Sequence, residues 1–110
     1  MAVRTRTLAD MVSDSVLPGQ FKTLRNAYAG KQVLVTGHTG FKGAWLSLWL
    51  TELGAKVYGF ALPESVPGVY TGIDLAGRIV GEKFENLRHP NAIMDYVRMV
   101  DPEIIFHLAA

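Results

Sequence analysis

Apolar positions along this chain follow two rhythms, short unbroken runs and stretches that recur every three or four residues. Residues 31–35 hold Val33, Leu34 and Val35 in succession, the mark of a strand covered on both faces. Residues 56–60 predict a second strand, residues 78–84 a third that Gly81 interrupts, and residues 103–108 a fourth, read as a buried strand. Between the first two strands, Phe41, Ala44, Trp45, Leu48 and Trp49 fall at helical spacing, and Leu46, Leu50 and Leu53 add a second apolar line. That predicts a helix buried over most of its circumference, with both tryptophans packed toward the sheet, and Gly54 as its C-cap. Ile93, Met94, Val97 and Val100 predict another helix, from Pro90 at the first helical position to Asp101, where Pro102 stops it. A short helix at residues 20–28, with Phe21, Leu24 and Tyr28 on one face, follows the Pro18-Gly19 break and closes at Gly30. Strands alternating with helices imply parallel βαβ units.

The first strand and the long helix are joined by Thr36-Gly37-His38-Thr39-Gly40-Phe41-Lys42-Gly43. A dinucleotide site asks something different of each glycine in such a turn. Gly37 lets the chain leave the strand sharply, Gly40 lets a diphosphate approach the backbone, and Gly43 lets the helix, read as opening there, pack closely on the strand. Unpaired N–H groups of the first helical turn then face the anion, with the positive end of the helix dipole behind them. An ATP-type phosphate loop requires wider glycine spacing and a Lys followed by Ser or Thr; Lys42 is followed by Gly43.

Composition narrows the possibilities further. The 110 residues suit one small domain, and a net charge of +1 gives no electrostatic case for nucleic acid or a membrane surface. No apolar run reaches the length of a membrane span, and no His or carboxylate group has metal-ligand spacing. The chain has no cysteine, so disulfides and thiol chemistry are excluded. Residues 1–30 read as an N-terminal extension ending in the short helix; Asp10 and Asp14 argue against a targeting signal despite Arg4 and Arg6. Residues 31–110 supply four strands where a doubly wound dinucleotide fold has about six, so they are expected to be the first part of a longer domain.

The string Thr-Gly-x-x-Gly-Phe-x-Gly resembles the signature of the extended short-chain dehydrogenase/reductase superfamily, the nucleotide-sugar epimerases and dehydratases. Residues 33–46, Val-Leu-Val-Thr-Gly-His-Thr-Gly-Phe-Lys-Gly-Ala-Trp-Leu, resemble one branch more closely, the CDP-glucose 4,6-dehydratases. The likeness covers residues 21–110. It implies an α/β fold, the N-terminal half of a Rossmann-type doubly wound parallel sheet. It also implies NAD as cofactor, a nucleotide sugar such as CDP-glucose as substrate of the full-length protein, a homo-oligomer and a cytoplasmic location. In such enzymes hydride leaves the sugar C4, water is lost across C5 and C6, and hydride returns to C6.

The cofactor-binding residues expected on this basis are Gly37, His38, Thr39, Gly40, Phe41, Lys42 and Gly43 of the turn, Asn86 and Leu87 after the third strand, and Leu108, Ala109 and Ala110 after the fourth. Just past the second strand an acid selects NAD and an arginine selects NADP. Ala61-Leu62-Pro63 is neither, Glu64 is the nearest acid, and His38 and Lys42 leave a 2′-phosphate possible; the resemblance implies NAD. Residues 63–76 form a loop that the resemblance sets near the adenine end and that reads equally as a surface excursion. Residues 85–89, Glu-Asn-Leu-Arg-His, stand where the family shows Gly-Asp-Ile-Arg-Asp. Asn86 replaces the acid that accepts from the adenine amino group, which its amide oxygen can still do unless it only shapes a turn. His107 is expected to be a buried strand histidine with a satisfied hydrogen bond, part of the wall rather than a base. The family's catalytic Tyr-x-x-x-Lys is missing, since Tyr28, Tyr58, Tyr70 and Tyr96 are followed at the fourth position by Gln32, Leu62, Asp74 and Val100. The 110 residues alone are therefore expected to be inactive, as part of a dehydratase, of another nucleotide-sugar epimerase or dehydratase, or as a non-catalytic dinucleotide-binding module.

Overall fold

A strand without a polar side chain at its centre must be covered on both faces, and Val33, Leu34 and Val35 of β1 (Gln32–Thr36) are each 0% exposed. This is seen in a computed structural model that describes residues 18–109. Around β1 the chain forms α1 (Pro18–Tyr28), α2 (Phe41–Glu52), β2 (Lys56–Ala61), the single turn α3 (Val69–Gly72), a 3-10 turn at Leu75–Gly77, β3 (Gly81–Phe84), α4 (Pro90–Val100) and β4 (Ile104–His107). All four strands are parallel, in the order β3-β2-β1-β4, with Val33 opposite both Val57 and Ile104. The chain winds outward from β1 to β3, then crosses back to lay β4 on the other side. That reversal opens a crevice beyond the C-terminal ends of β1 and β4, where open α/β sheets take their ligands.

Alternation along the strands sends side chains to two layers. Val33, Val35 and Val57 meet Ala44, Leu48 and Leu50 of α2, with Leu75 and Ile79 closing that side. Leu34 and Phe60 meet Tyr96 and Val100 of α4 on the opposite face. The fold class expected from the sequence is therefore the one found: an α/β chain with an all-parallel sheet covered by helices on both sides.

Four local expectations are corrected. Trp45 and Trp49 are each 36% exposed and Phe41 is 69% exposed. The buried line of α2 is instead Gly43, Ala44, Ser47, Leu48 and Leu50. Small residues at three of those positions let the helix lie so close to the glycine turn that no aromatic ring fits between, so the rings roll to the flank. Ser47 remains compatible with burial because its hydroxyl donates to the Gly43 carbonyl at 2.7 Å. Next, α2 opens at Phe41, not Gly43, with Gly40 as its N-cap. The third strand begins at Gly81, because Ile79 N–H bonds back to Leu75 O and only Val80 N–H reaches β2, at Val57 O. Finally, β4 lies at the sheet edge, where Ile104 and Phe106 are half-buried while Ile105 and His107 face outward.

At the other end α2 is capped by Leu53, and Gly54, expected as the C-cap, is the residue after it, with φ +91°. The Gly54 carbonyl accepts from Gly30 N–H at 2.9 Å, tying the junction of α1 and β1 to the turn between α2 and β2. The Tyr28 ring of α1 lies 6.5 Å from Phe106. Expectations about residues 1–17, the side chain of Phe21, and Ala110 fall outside the described residues. Among the described residues no helix is long and apolar enough to cross a membrane, and no group of three potential metal ligands exists.

Candidate functional site

The turn between β1 and α2 owes its shape to two close approaches. Gly37 has φ +81°, and a Cβ there would lie 2.7 Å from Ala109 N, so it permits both the bend and the passage of the chain leaving β4. At Gly43 a Cβ would stand 2.0 Å from the Gly37 carbonyl oxygen, which explains how closely α2 settles on the turn. Gly40 is different. A Cβ there meets only Gly37 O at 3.5 Å, and its φ of −79° suits any residue. Nothing within the chain requires glycine at this position.

Beside Gly40 opens a cleft of about 420 Å³, lined by Gly37, Thr39, Gly40, Ala61, Leu62, Glu85, Asn86, Leu87, Leu108 and Ala109. Its walls come from the C-terminal ends of all four strands. Leu108 N–H donates to Thr36 O at 3.0 Å, Gly37 N–H to Phe60 O at 2.9 Å, and Glu85 N–H to Ala61 O at 2.9 Å, so those ends are stitched together. Thr39 Oγ1 donates to Leu62 O at 2.9 Å and fixes the turn to the end of β2. The first helical bond of α2 runs from Ala44 N–H to Gly40 O, and no side chain caps the helix. The N–H groups of Phe41, Lys42 and Gly43 precede that bond and, with the positive end of the dipole, suit an anion.

Of the residues expected from sequence, Gly37, Thr39, Gly40, Asn86, Leu87, Leu108 and Ala109 are brought together in this cleft. Phe41 lines a neighbouring hollow with Thr39, Gly40, Leu62 and residues 63–69, while Lys42 is exposed and Gly43 lies buried behind the turn. Asn86 spends its side-chain oxygen locally, accepting from Arg88 N–H at 2.9 Å, which shapes the turn after β3. Ala61, Leu62 and Glu85 also line the cleft; the sequence placed them just past the second and third strands but did not count them among the cofactor-binding residues.

The role considered for the His38 side chain, a positive charge for a 2′-phosphate, is corrected. Its ring is 0% exposed and turned under the sheet, where Nε2–H donates to Glu82 Oε2 at 2.8 Å. Burial lowers its pKa below the ordinary 6.5, against the opposing pull of Glu82, so the ring is neutral at pH 7. His107 also departs from expectation: it is exposed rather than buried, although its Nδ1 is hydrogen-bonded to Thr36 Oγ1 at 2.7 Å. Ile105, two residues earlier on the same face of β4, is 50% exposed as well, while α4 packs over Leu34 of β1 and Phe60 of β2. Glu64 is engaged within its own loop, accepting from Gly68 N–H at 3.0 Å and from the Thr71 hydroxyl.

Comparison with known proteins agrees with this fold. Over 78% of its length the chain is 49% identical to a CDP-glucose 4,6-dehydratase from Salmonella typhimurium, of which it covers 24%. An epimerase of known structure from the methanogen Methanothermobacter thermautotrophicus superposes on 83% of the chain with a TM-score of 0.64 and 26% identity, over 26% of its own length. The chain thus spans about a quarter of each of these proteins. Residues 33–110, from β1 through the glycine turn to the end of β4, match the pattern of the NAD dependent epimerase/dehydratase family, and to that family this chain belongs.

Proposed function

We propose that this chain is the dinucleotide-binding portion of a nucleotide-sugar 4,6-dehydratase, with NAD as its cofactor and a CDP-sugar, CDP-glucose, as the substrate of the whole protein. The observation that carries the cofactor reading is Gly40: the chain leaves open the space a Cβ would fill, at the rim of the cleft and over the N-terminus of α2. A side chain there would collide with a ligand, not with the protein. The residues fit a diphosphate flanked by two ribosides. Backbone of residues 37–43 holds the diphosphate, with Lys42 beside it. Asn86 and Leu87 border the adenine, and Leu108 and Ala109, followed by Ala110, leave room for the nicotinamide ribose. Of His38 only the backbone takes part.

When bound, a nicotinamide dinucleotide supplies reversible acceptance of hydride. This chain's own residues bind and orient that group. The acid–base Tyr and Lys and the sugar pocket would be supplied by chain beyond Ala110. NAD is favoured over NADP by the match to the NAD dependent epimerase/dehydratase family; of the two cations considered for a 2′-phosphate, His38 is buried and neutral, and Lys42 is assigned to the diphosphate. The identity to a CDP-glucose 4,6-dehydratase supports the substrate assignment. The full-length protein acts in the cytoplasm as a homo-oligomer.

The test is calorimetric titration of this chain with NAD and, separately, with NADP, and incubation of the full-length protein with CDP-glucose and with other nucleotide hexoses. NAD binding and loss of water from CDP-glucose are expected. Absence of dinucleotide binding, or turnover of a different sugar nucleotide only, overturns the assignment.

A further inference from the structure

One cluster of polar groups lies beneath the glycine turn and plays no part in the cleft itself. The His38 ring is fully buried and stacks on Phe84, with centroids 6.1 Å apart and planes 7° apart. Its Nε2–H donates to Glu82 at 2.8 Å, and the Tyr70 hydroxyl lies 2.7 and 2.8 Å from the two oxygens of the same carboxylate. Tyr70 meets both the His38 and Phe84 rings edge-on. Nδ1 of His38 is buried without a partner. Beneath the ring the sheet carries Gly59, where a Cβ would stand 2.4 Å from the imidazole.

These residues come from three separate parts of the cleft's frame. His38 is in the glycine turn, Glu82 and Phe84 are in β3 directly before the lining residues Glu85, Asn86 and Leu87, and Tyr70 belongs to α3, at the end of the loop that lines the neighbouring hollow. None of the three polar side chains lines the cleft beside Gly40, yet together they fasten the segments that do. Resting on the dinucleotide reading above, we infer that Glu82 and Tyr70 are positioning residues for the bound dinucleotide, acting through His38 to hold the phosphate turn in register with the segment after β3.

The chemistry accounts for the choice of groups. A carboxylate can accept from His38 and Tyr70 at once, and charge-assisted bonds are shorter and stronger than neutral ones. A charge-assisted bond between a fully buried ring and a carboxylate that is 20% exposed is worth roughly a tenfold change in an equilibrium when one partner is deleted. Glutamine in place of Glu82 keeps an acceptor for His38 and can donate to the tyrosine oxygen, so it preserves the geometry without the charge.

The experiment measures NAD affinity calorimetrically, well below the melting temperature, for the parent, Glu82→Ala, Glu82→Gln, Tyr70→Phe, and Val100→Ala. Val100 lies in the core on the other face of the sheet and serves as the control for destabilisation alone. Glu82→Ala is expected to weaken NAD binding by about tenfold or more. Glu82→Gln should restore it to within about threefold and Tyr70→Phe should weaken it about threefold, while Val100→Ala leaves it unchanged. Parental affinity in Glu82→Ala, or an equal loss in Val100→Ala, overturns the inference while the dinucleotide reading stands. Should Glu82→Ala fail to fold, Tyr70→Phe decides, since it removes one hydroxyl, and parental affinity there overturns the inference as well. No NAD binding by the parent overturns the dinucleotide reading itself, and this inference with it.

Discussion

Replacing Gly43 with alanine would set a methyl carbon 2.0 Å from the Gly37 carbonyl oxygen, far inside the roughly 3.5 Å at which non-bonded heavy atoms rest. The neighbour is backbone, so no side chain can swing aside. Helix α2 must lift by more than about 1 Å, opening the packing of Ala44 and Leu48 on β1. Overpacking of this sort costs about 3 kcal/mol, which for a domain of this size lowers Tm by roughly 10–20 °C. At Gly40, by contrast, the added carbon meets only Gly37 O at 3.5 Å, in an extended conformation open to any residue. Gly40→Ser also supplies the N-cap side chain that α2 lacks, so Tm should hold or rise by a few degrees, roughly the worth of a cap. Its side chain nevertheless occupies the space assigned to the diphosphate, so NAD affinity should fall at least about tenfold, or about 1.4 kcal/mol, and Gly40→Val should abolish it. Scanning fluorimetry and calorimetric titration on the same preparations read the two effects separately. A Gly40→Val protein that binds NAD like the parent refutes the placement of the diphosphate. A Gly43→Ala protein that melts with the parent refutes the packing argument.

Other outcomes follow from the same geometry. His38 binds protons less readily folded than unfolded, because burial lowers its pKa, so its effect on stability vanishes above the unfolded value of 6.5 and stability declines as pH falls below it. Tm measured from pH 8 to pH 5 should show that decline, and His38→Gln should flatten it; an identical profile in the variant counts against the assignment. Tyr96 keeps its hydroxyl buried without a partner, and burial pushes its pKa up to about 12. Tyr96→Phe should therefore leave stability unchanged or raise it by up to about 1 kcal/mol, and a marked loss in urea unfolding would reveal a bond not accounted for. Leu48→Ala, at a site 6% exposed, should cost about 2–5 kcal/mol. Trp49→Ala should cost less despite the larger side chain, which an equal or greater loss in the same urea series would contradict.

How far the sequence could be read depended on the distance between the groups involved. The run Val33 to Val35, the helical spacings and the three glycines are local, and they led to the α/β class, the parallel sheet and most of the cleft. The tryptophans misled because periodicity identifies an apolar stripe without ranking the residues by the space available. Gly43, Ala44 and Ser47 mark where the helix must come nearest, and that nearness is set by the turn rather than by hydrophobicity. His38 was illegible for another reason: its surroundings come from Gly59, Tyr70, Glu82 and Phe84, scattered over two strands and a short helix. The one trace of them was a glycine in the middle of β2, where a strand gives up side-chain packing without evident cause.

That glycine ties two distant positions to a shared fate. With His38 in the turn, any side chain at Gly59 meets the ring; with a small residue in the turn, the same side chain would have somewhere to go. Gly59→Ala alone should therefore be severely disruptive and His38→Ala alone should leave a void, whereas the double substitution should recover part of what each loses. Across divergent family members the two sites should change together or not at all, an expectation that any sufficiently broad set of their sequences can decide.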